Sequence, residues 1–318
     1  RHGGTLHRLR LLATDTAVYG LASAVSRSFS LILFPLLTRS MSVADYGRLD
    51  LALYAAMLFG LIMIWGQDSA VARLFFESED HEDRRQTVSQ ALLLVSANSV
   101  LIILVMLAVV RTPDVEGYFG PQTWRIAALL LFFAPISGLL SFAQSLLKWT
   151  FQRNRYIAIA LGMPAANLVL LLGFSRADNF GPVTALAVMT VVGALFAVAA
   201  LTMVREWLTI PRDASFLRKL VPLALPYGLI SAIAALSPFI ERAVVGERFG
   251  AAELGLYAAA AKLASIATML AIAFQMGWGP FAYALYKEAD AARTYNLVLR
   301  AFSALMCVAV LSLSAAAD

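Results

Sequence analysis

Nine apolar runs alternate with short polar segments along this chain. They cover roughly 15–37, 51–72, 88–110, 124–147, 156–174, 181–204, 221–245, 254–276 and 295–317. Each holds about twenty residues, the number a ~30 Å hydrocarbon layer requires of a helix rising ~1.5 Å per residue. The intervening segments carry the charges and turn residues: ESEDHEDRR (77–85), RTPDVEGYFGPQ (111–122) and SRADNFGP (175–182) are examples. The pattern predicts an all-α polytopic membrane protein.

Composition excludes the soluble alternative. The 318 residues are 60% hydrophobic and 14% charged, against roughly 45–50% and 25% in a soluble domain. A net charge of +5 would suggest nucleic acid in a soluble chain. Here the basic residues mark a membrane face. With the N-terminus taken as cytoplasmic, fifteen of the 25 Lys and Arg fall in inner segments, six in outer loops and four within spans. That bias places the N-terminus inside and removes a nucleic-acid partner. Trp65, Trp124, Trp149, Trp207 and Trp278 fall near span ends, where an indole prefers the headgroup level. The acidic run ESEDHEDRR reads as a solvated loop.

The single cysteine, Cys307, forms no intrachain disulfide, and His2, His7 and His81 have no metal-ligand spacing. The chain begins without Met and stops inside an apolar run, so it reads as a piece of a longer protein. A cleavable signal peptide is disfavoured, because the first run is too long and contains Arg27.

An internal repeat organises the runs. YGLASAV at 19–25 returns as YGLISAI at 227–233, an offset of 208 residues (227 − 19). The same offset maps ADYG (44–47), read as the turn after the first span, onto AELG (252–255), and Gln67 onto Gln275. It spans six runs. An even number restores the sidedness, so the expected lobes have parallel topology about an axis normal to the membrane. The expected organisation is a six-helix lobe over 1–204, a cytoplasmic linker over 205–220, and the first three helices of a second lobe over 221–318. The part of the linker reading FLRK suggests a short surface helix before the seventh span. At least three further spans are expected beyond the chain.

Charges inside the spans carry the candidate chemistry. The repeat sets Ala235 opposite Arg27, so the architecture does not require a guanidinium there. An arginine at a helix centre costs ~2.5–3.5 kcal/mol on insertion scales and usually faces a protein interior or wet cavity. Lys262 lies within the eighth span and Arg300 within the ninth; Arg242 and Glu241 are adjacent late in the seventh. Neighbours on a helix point ~100° apart, so Glu241 and Arg242 serve different surroundings. Asp50 and Asp68 flank the second span; Asp68 is the better candidate for an internal partner of a cation, and an interfacial role suits it equally. Arg27, Lys262, Arg242 and Arg300 are the candidate contacts for an anion, which favours a phosphate-bearing substrate. Glu241 and Asp68 are candidates for ion pairs or for binding a coupling H⁺ or Na⁺. Prolines at 35, 135, 164, 222, 226 and 238 lie within spans, which membrane helices tolerate.

The stretch SPFIERAVVGERFGAAELGLYAAAAKLASIATMLAIAFQMGWGPF (237–281) resembles the seventh and eighth helices of polysaccharide flippases. These belong to the multidrug/oligosaccharidyl-lipid/polysaccharide exporter superfamily. The resemblance rests on Glu241–Arg242, Gly246, Leu254–Gly255–Tyr257, Lys262 and Trp278–Pro280–Phe281, and on FPLLTRSMSVADYG (34–47). It implies two lobes of 12–14 spans in all, a cationic central cavity, no covalent chemistry and no cofactor. It also implies alternating access, with an undecaprenyl-pyrophosphate-linked oligosaccharide as substrate in the bacterial inner membrane. Glycan polymerase and other assembly proteins, with membrane lipids, are the implied partners. Glu241 stands where the family more usually has aspartate. Two alternatives stay open: a multidrug or cation antiporter of the same superfamily, and a membrane glycan polymerase or ligase.

Overall fold

The computed structural model describes residues 2–110, 122–177, 179–212, 215–285 and 291–315. Residues 111–121, Lys287, and the side chains of Arg8, Arg10, Gln275, Pro280 and Phe281 lie outside the described residues. Ten α-helices follow in order among the described residues: α1 (His2–Ser40), α2 (Val43–Ile64), α3 (Gln67–Glu77), α4 (His81–Val109), α5 (Thr123–Trp149), α6 (Arg153–Phe174), α7 (Pro182–Met203), α8 (Ser215–Phe249), α9 (Ala251–Leu285) and α10 (Ala291–Ala315). A 3₁₀ turn, Arg205–Trp207, precedes the linker. Nine spans among the described residues are long and apolar enough to cross a membrane. The face on which α1 begins is called the near face below, and the opposite one the far face.

Helix α5 packs on α7, α2 and α4, and α1 rests on α6. Lipid tails are as apolar as leucine, so close backbone approach rather than hydrophobic transfer holds such helices together. The contact positions suit that need: Ala52, Ala56, Ala91, Ala134, Ala143 and Ala185 are all nearly or fully buried. One core cluster joins Phe75, Val88, Leu146 and Ile159 to Leu220 and Ala224 of α8. A second joins Leu49, Met63, Ile126 and Leu186 to Leu254 and Ala258 of α9. The chain that follows the linker thus shares one cluster with α3 and the other with α2.

The second apolar run differs from the single helix expected over 51–72. It starts earlier, at Val43, and breaks at Trp65 and Gly66, which take left-handed φ values of 46° and 68°. Glycine adopts that conformation without strain. Breaking a helix inside a membrane frees backbone groups that must be satisfied within the protein. Asn98 of α4 does this, its Nδ2 donating to the Met63 carbonyl at 2.9 Å. Gly66 lies against Ala224–Gly228 of α8, and a Cβ there would collide with the Gly228 amide. Gly66→Ala therefore combines a strained φ with backbone overlap. It should destabilise the protein by ~1–3 kcal/mol, read as a lowered Tm in detergent, whereas Gly173→Ala, with open space around it, should have an effect near the ~1 kcal/mol helix gain of alanine.

The run ESEDHEDRR does more than the solvated loop expected of it. Asp80 caps α4, accepting from the Asp83 amide at 3.0 Å, and residues 81–85 form the first turns of that helix. Glu82 then accepts from Arg85 and Arg212, each at 3.1 Å. Arg85 donates to the Leu208 carbonyl and Ser89 accepts from the Thr209 amide. The linker is stitched to the start of α4. The FLRK segment forms the first turns of α8 itself instead of a separate surface helix.

Candidate functional site

The far end of α2 is set by its cap. Ser42 accepts from the Asp45 amide at 3.1 Å and donates to the Asp45 carboxylate at 2.8 Å, while Arg48 pairs with Asp45 at 2.9 Å. This reciprocal cap fixes the helix start. From it, the three- and four-residue spacing of Gly47, Asp50 and Tyr54 puts all three on one face. ADYG and AELG lie in the first turns of α2 and α9, not in turns between helices. Gly47 and Gly255, the fourth residues of those motifs, meet. A Cβ on Gly47 would lie 2.6 Å from the Gly255 nitrogen, and one on Gly255 would collide with the Val43 carbonyl. Two glycines therefore let α2 and α9 touch backbone to backbone.

One turn further, Arg242 of α8 meets Asp50. Its Nε donates to Asp50 Oδ2 at 2.6 Å, with the two side chains 4% and 12% exposed. Another guanidinium nitrogen donates to the Pro238 carbonyl at 3.0 Å. The cation also lies over the Tyr54 ring at 3.5 Å and near the Tyr257 ring at 5.5 Å. A buried guanidinium needs this much compensation, because removal from water costs several kcal/mol per ion. Beside it, Glu241 points another way. It accepts from Ser237 at 3.0 Å and from the Tyr257 hydroxyl at 2.7 Å, and it is exposed.

The other candidates are placed differently. Arg27 is exposed on α1 and makes no ion pair among the described residues. Four residues before it, Ser23 hydrogen-bonds to Tyr156 at 3.1 Å and anchors α1 to α6. The repeat counterpart Ala235 is 3% exposed. Lys262 is half-buried on α9, within the fields of Asp50 and Arg242. Helices α1 and α9 touch, so Arg27 and Lys262 sit on neighbouring helices. Arg300 is exposed on α10, apart from the cluster around Asp50.

Asp68, expected either as an internal partner of a cation or as an interfacial residue, is exposed at the first turn of α3 and accepts from the Ser69 amide. The place belongs to Asp50 instead. The reason is the early start of α2: it moves Asp50 from a flank into the helix, facing α8, and the break at Gly66 turns Asp68 out. Arg242, expected to meet substrate, is occupied by Asp50 and two rings. Tyr54 was not anticipated, and Tyr257 entered only through the resemblance, not as a partner of Arg242 and Glu241. The signal available was the Asp50/Tyr54 spacing, which repeats the face that Gly47 begins. Among the described residues no group of three or more His, Cys, Asp or Glu could hold a metal.

A family model described as "Polysaccharide biosynthesis protein" matches residues 12–282. The chain belongs to that family. It is a family of flippases within the multidrug/oligosaccharidyl-lipid/polysaccharide exporter superfamily, so this member is a multi-pass membrane protein of a family of transporters. The match runs from α1 into α9 and contains Arg27, Asp50, Arg242 and Lys262. Comparison with curated proteins finds no match, and comparison with solved structures finds none either.

Proposed function

We propose that this family member flips a lipid-linked oligosaccharide, carried on a polyprenyl pyrophosphate, across the bacterial inner membrane by alternating access. The near face is cytoplasmic in this reading, as the Lys and Arg bias suggests. The moving parts are the lobes 1–204 and 221–318, joined by the linker 205–220.

The observation that carries the proposal is the contrast between two arginines. Arg242 is neutralised by Asp50 at 2.6 Å, while Arg27, also within a span, is exposed and has no ion pair among the described residues. A free guanidinium at membrane depth is tolerable where water or an anion reaches it. Its fork of donors suits pyrophosphate oxygens. Lys262, on the helix touching α1, adds a second cation, and Arg300 a third nearer the near face. Arg242 instead closes the far side, where Gly47 and Gly255 meet. Glu241 is the coupling site for H⁺ or Na⁺, being an exposed carboxylate adjacent to Arg242 at that closure.

A cation-antiporter reading is weaker. It requires a cationic substrate beside Arg27 and Lys262, with Asp50 already engaged by Arg242 and Glu241 left for the coupling ion. The decisive experiment is complementation of a flippase-deficient strain. Arg27→Ala should lower glycan export by tenfold or more, roughly the ~1.5–3 kcal/mol of a charge-assisted hydrogen bond, and Arg27→Lys should restore part of it. Unchanged export by both variants would remove Arg27 from the substrate path.

A further inference from the structure

Two cavities lie one beyond the other in the seam between α3, α4 and α8. The cavity at the near face has a volume of about 490 Å³ and is lined by Glu77, Asp83, Gln90, Arg212, Phe216 and Lys219, among others. The deeper one, of about 310 Å³, is mostly apolar, with Gln67 and Asn98 among its lining. The same helix faces line both. On α4, Gln90 belongs to the first cavity, and Leu94 and Asn98, one and two turns on, to the second. Residues spaced by four lie above one another on a helix. Gln90 and Asn98 are separated by ~12 Å at 1.5 Å per residue. That is deeper than the headgroup layer, ~5–8 Å per leaflet, so an occupant of both cavities reaches from the polar layer into hydrocarbon.

Each cavity contains a buried amide with unmet hydrogen bonds. Gln90 is 2% exposed and its Oε1 has no partner; Gln67 is 1% exposed and neither Oε1 nor Nε2 has one. A buried polar group left unpaired loses ~1–3 kcal/mol, which argues that something fills the seam. The charges add a further constraint. Glu77 pairs with Arg73, and Arg212 with Glu82. Asp83 and Lys219 line the same cavity yet make no ion pair among the described residues, with each other or elsewhere. The deeper cavity is flanked by Leu101 and Val221, which are 59% and 47% exposed within spans and so face lipid.

We propose that this seam binds a zwitterionic phospholipid with a primary-amine headgroup, taken from the surrounding bilayer. The orphan acceptor Gln90 Oε1 requires a donor. An ammonium supplies one, and supplies a second to Asp83. The lipid phosphate then faces the Lys219 ammonium, which matches the unpaired charges of the cavity one for one. Gln67 Nε2 is placed to donate to a fatty-ester carbonyl, and an acyl chain lies along Leu94, Leu101 and Val221. A quaternary ammonium has no N–H and leaves Gln90 unsatisfied, so a choline headgroup fits poorly. Because the linker donates Arg212 and α8 donates Phe216 and Lys219, the bound lipid bridges the segments before and after the repeat boundary.

The test is native mass spectrometry of the whole chain, offered equal amounts of ethanolamine, choline and glycerol phospholipids with identical acyl chains. The ethanolamine lipid should be retained about tenfold more than the choline lipid. Gln90→Leu and Asp83→Asn should each erase that preference, while Gln67→Leu should weaken retention of all three. Asp83 is a surface residue, so its variant should keep the parent Tm and report on binding alone. Equal retention of the ethanolamine and choline lipids, a preference for the glycerol headgroup, or a preference that survives both Gln90→Leu and Asp83→Asn overturns the proposal.

Discussion

Asp50→Ala should destabilise the protein by ~3–5 kcal/mol, the loss typical when one member of a buried ion pair is removed and the other stays buried. The stranded group is the Arg242 guanidinium, 4% exposed and held between α2, α8 and the Tyr54 ring. Its contact with Tyr54 persists in the variant but carries only ~0.5–2 kcal/mol, too little to offset the lost carboxylate. Arg242→Ala should be milder, because Asp50 is nearer to water at 12% exposure. Exchanging the two residues should recover part of the loss. Unfolding of the parent, the two single variants and the Asp50→Ala/Arg242→Ala double variant in one detergent gives the coupling energy directly. It should change little between low and high salt, since a dry pair is poorly screened. A coupling energy near zero would show that Asp50 and Arg242 do not depend on each other.

Gly255→Ala should act on conformation more than on folding. The added Cβ meets the Val43 carbonyl, a backbone atom with no rotamer to move aside. The helices must therefore part at the far face. Overpacking of this kind costs ~1–3 kcal/mol, which shifts a two-state equilibrium by roughly 5- to 150-fold. Ala258, one turn from Gly255 and 1% exposed, reports the change. In a background with Cys307 replaced, Ala258→Cys should react slowly with an impermeant thiol reagent, and much faster once Gly255→Ala is added. Equal rates would mean that the Gly47–Gly255 contact does not hold the far side shut. Asp50→Ala and Gly255→Ala differ in what they disturb: the first removes a charge from a closed contact, the second prevents the contact from closing.

Much of the fold was legible because a membrane imposes a local rule on each segment. A run of about twenty apolar residues must span as a helix, since no other open structure satisfies its backbone in hydrocarbon. Hence nine runs correspond to nine candidate spans among the described residues, and the motifs around Glu241–Arg242 and Leu254–Gly255 pointed to the family before any geometry. The break at Trp65–Gly66 was not legible. Apolar character continues across it, and only the Asn98 amide reaching Met63 shows why the chain tolerates it there. That Asp50 partners the buried Arg242 was not legible for a related reason: the true start of α2 depends on the Ser42 cap and on α9 packing against Gly47, neither of which hydropathy records.

Sequence by itself determined that this is an all-helical membrane protein, which family it belongs to, and which cations lie at membrane depth. Lipid forces those properties to be written locally, residue by residue. Only the tertiary structure decided which of those cations is paired with a carboxylate among the described residues. Arg242 and Arg27 look alike along the chain, but a carboxylate 192 positions away stands 2.6 Å from one of them and none among the described residues reaches the other. Pairing across such a distance depends on where three helices cross, and that is set by close contacts such as Gly47 on Gly255 rather than by any property of the segments alone.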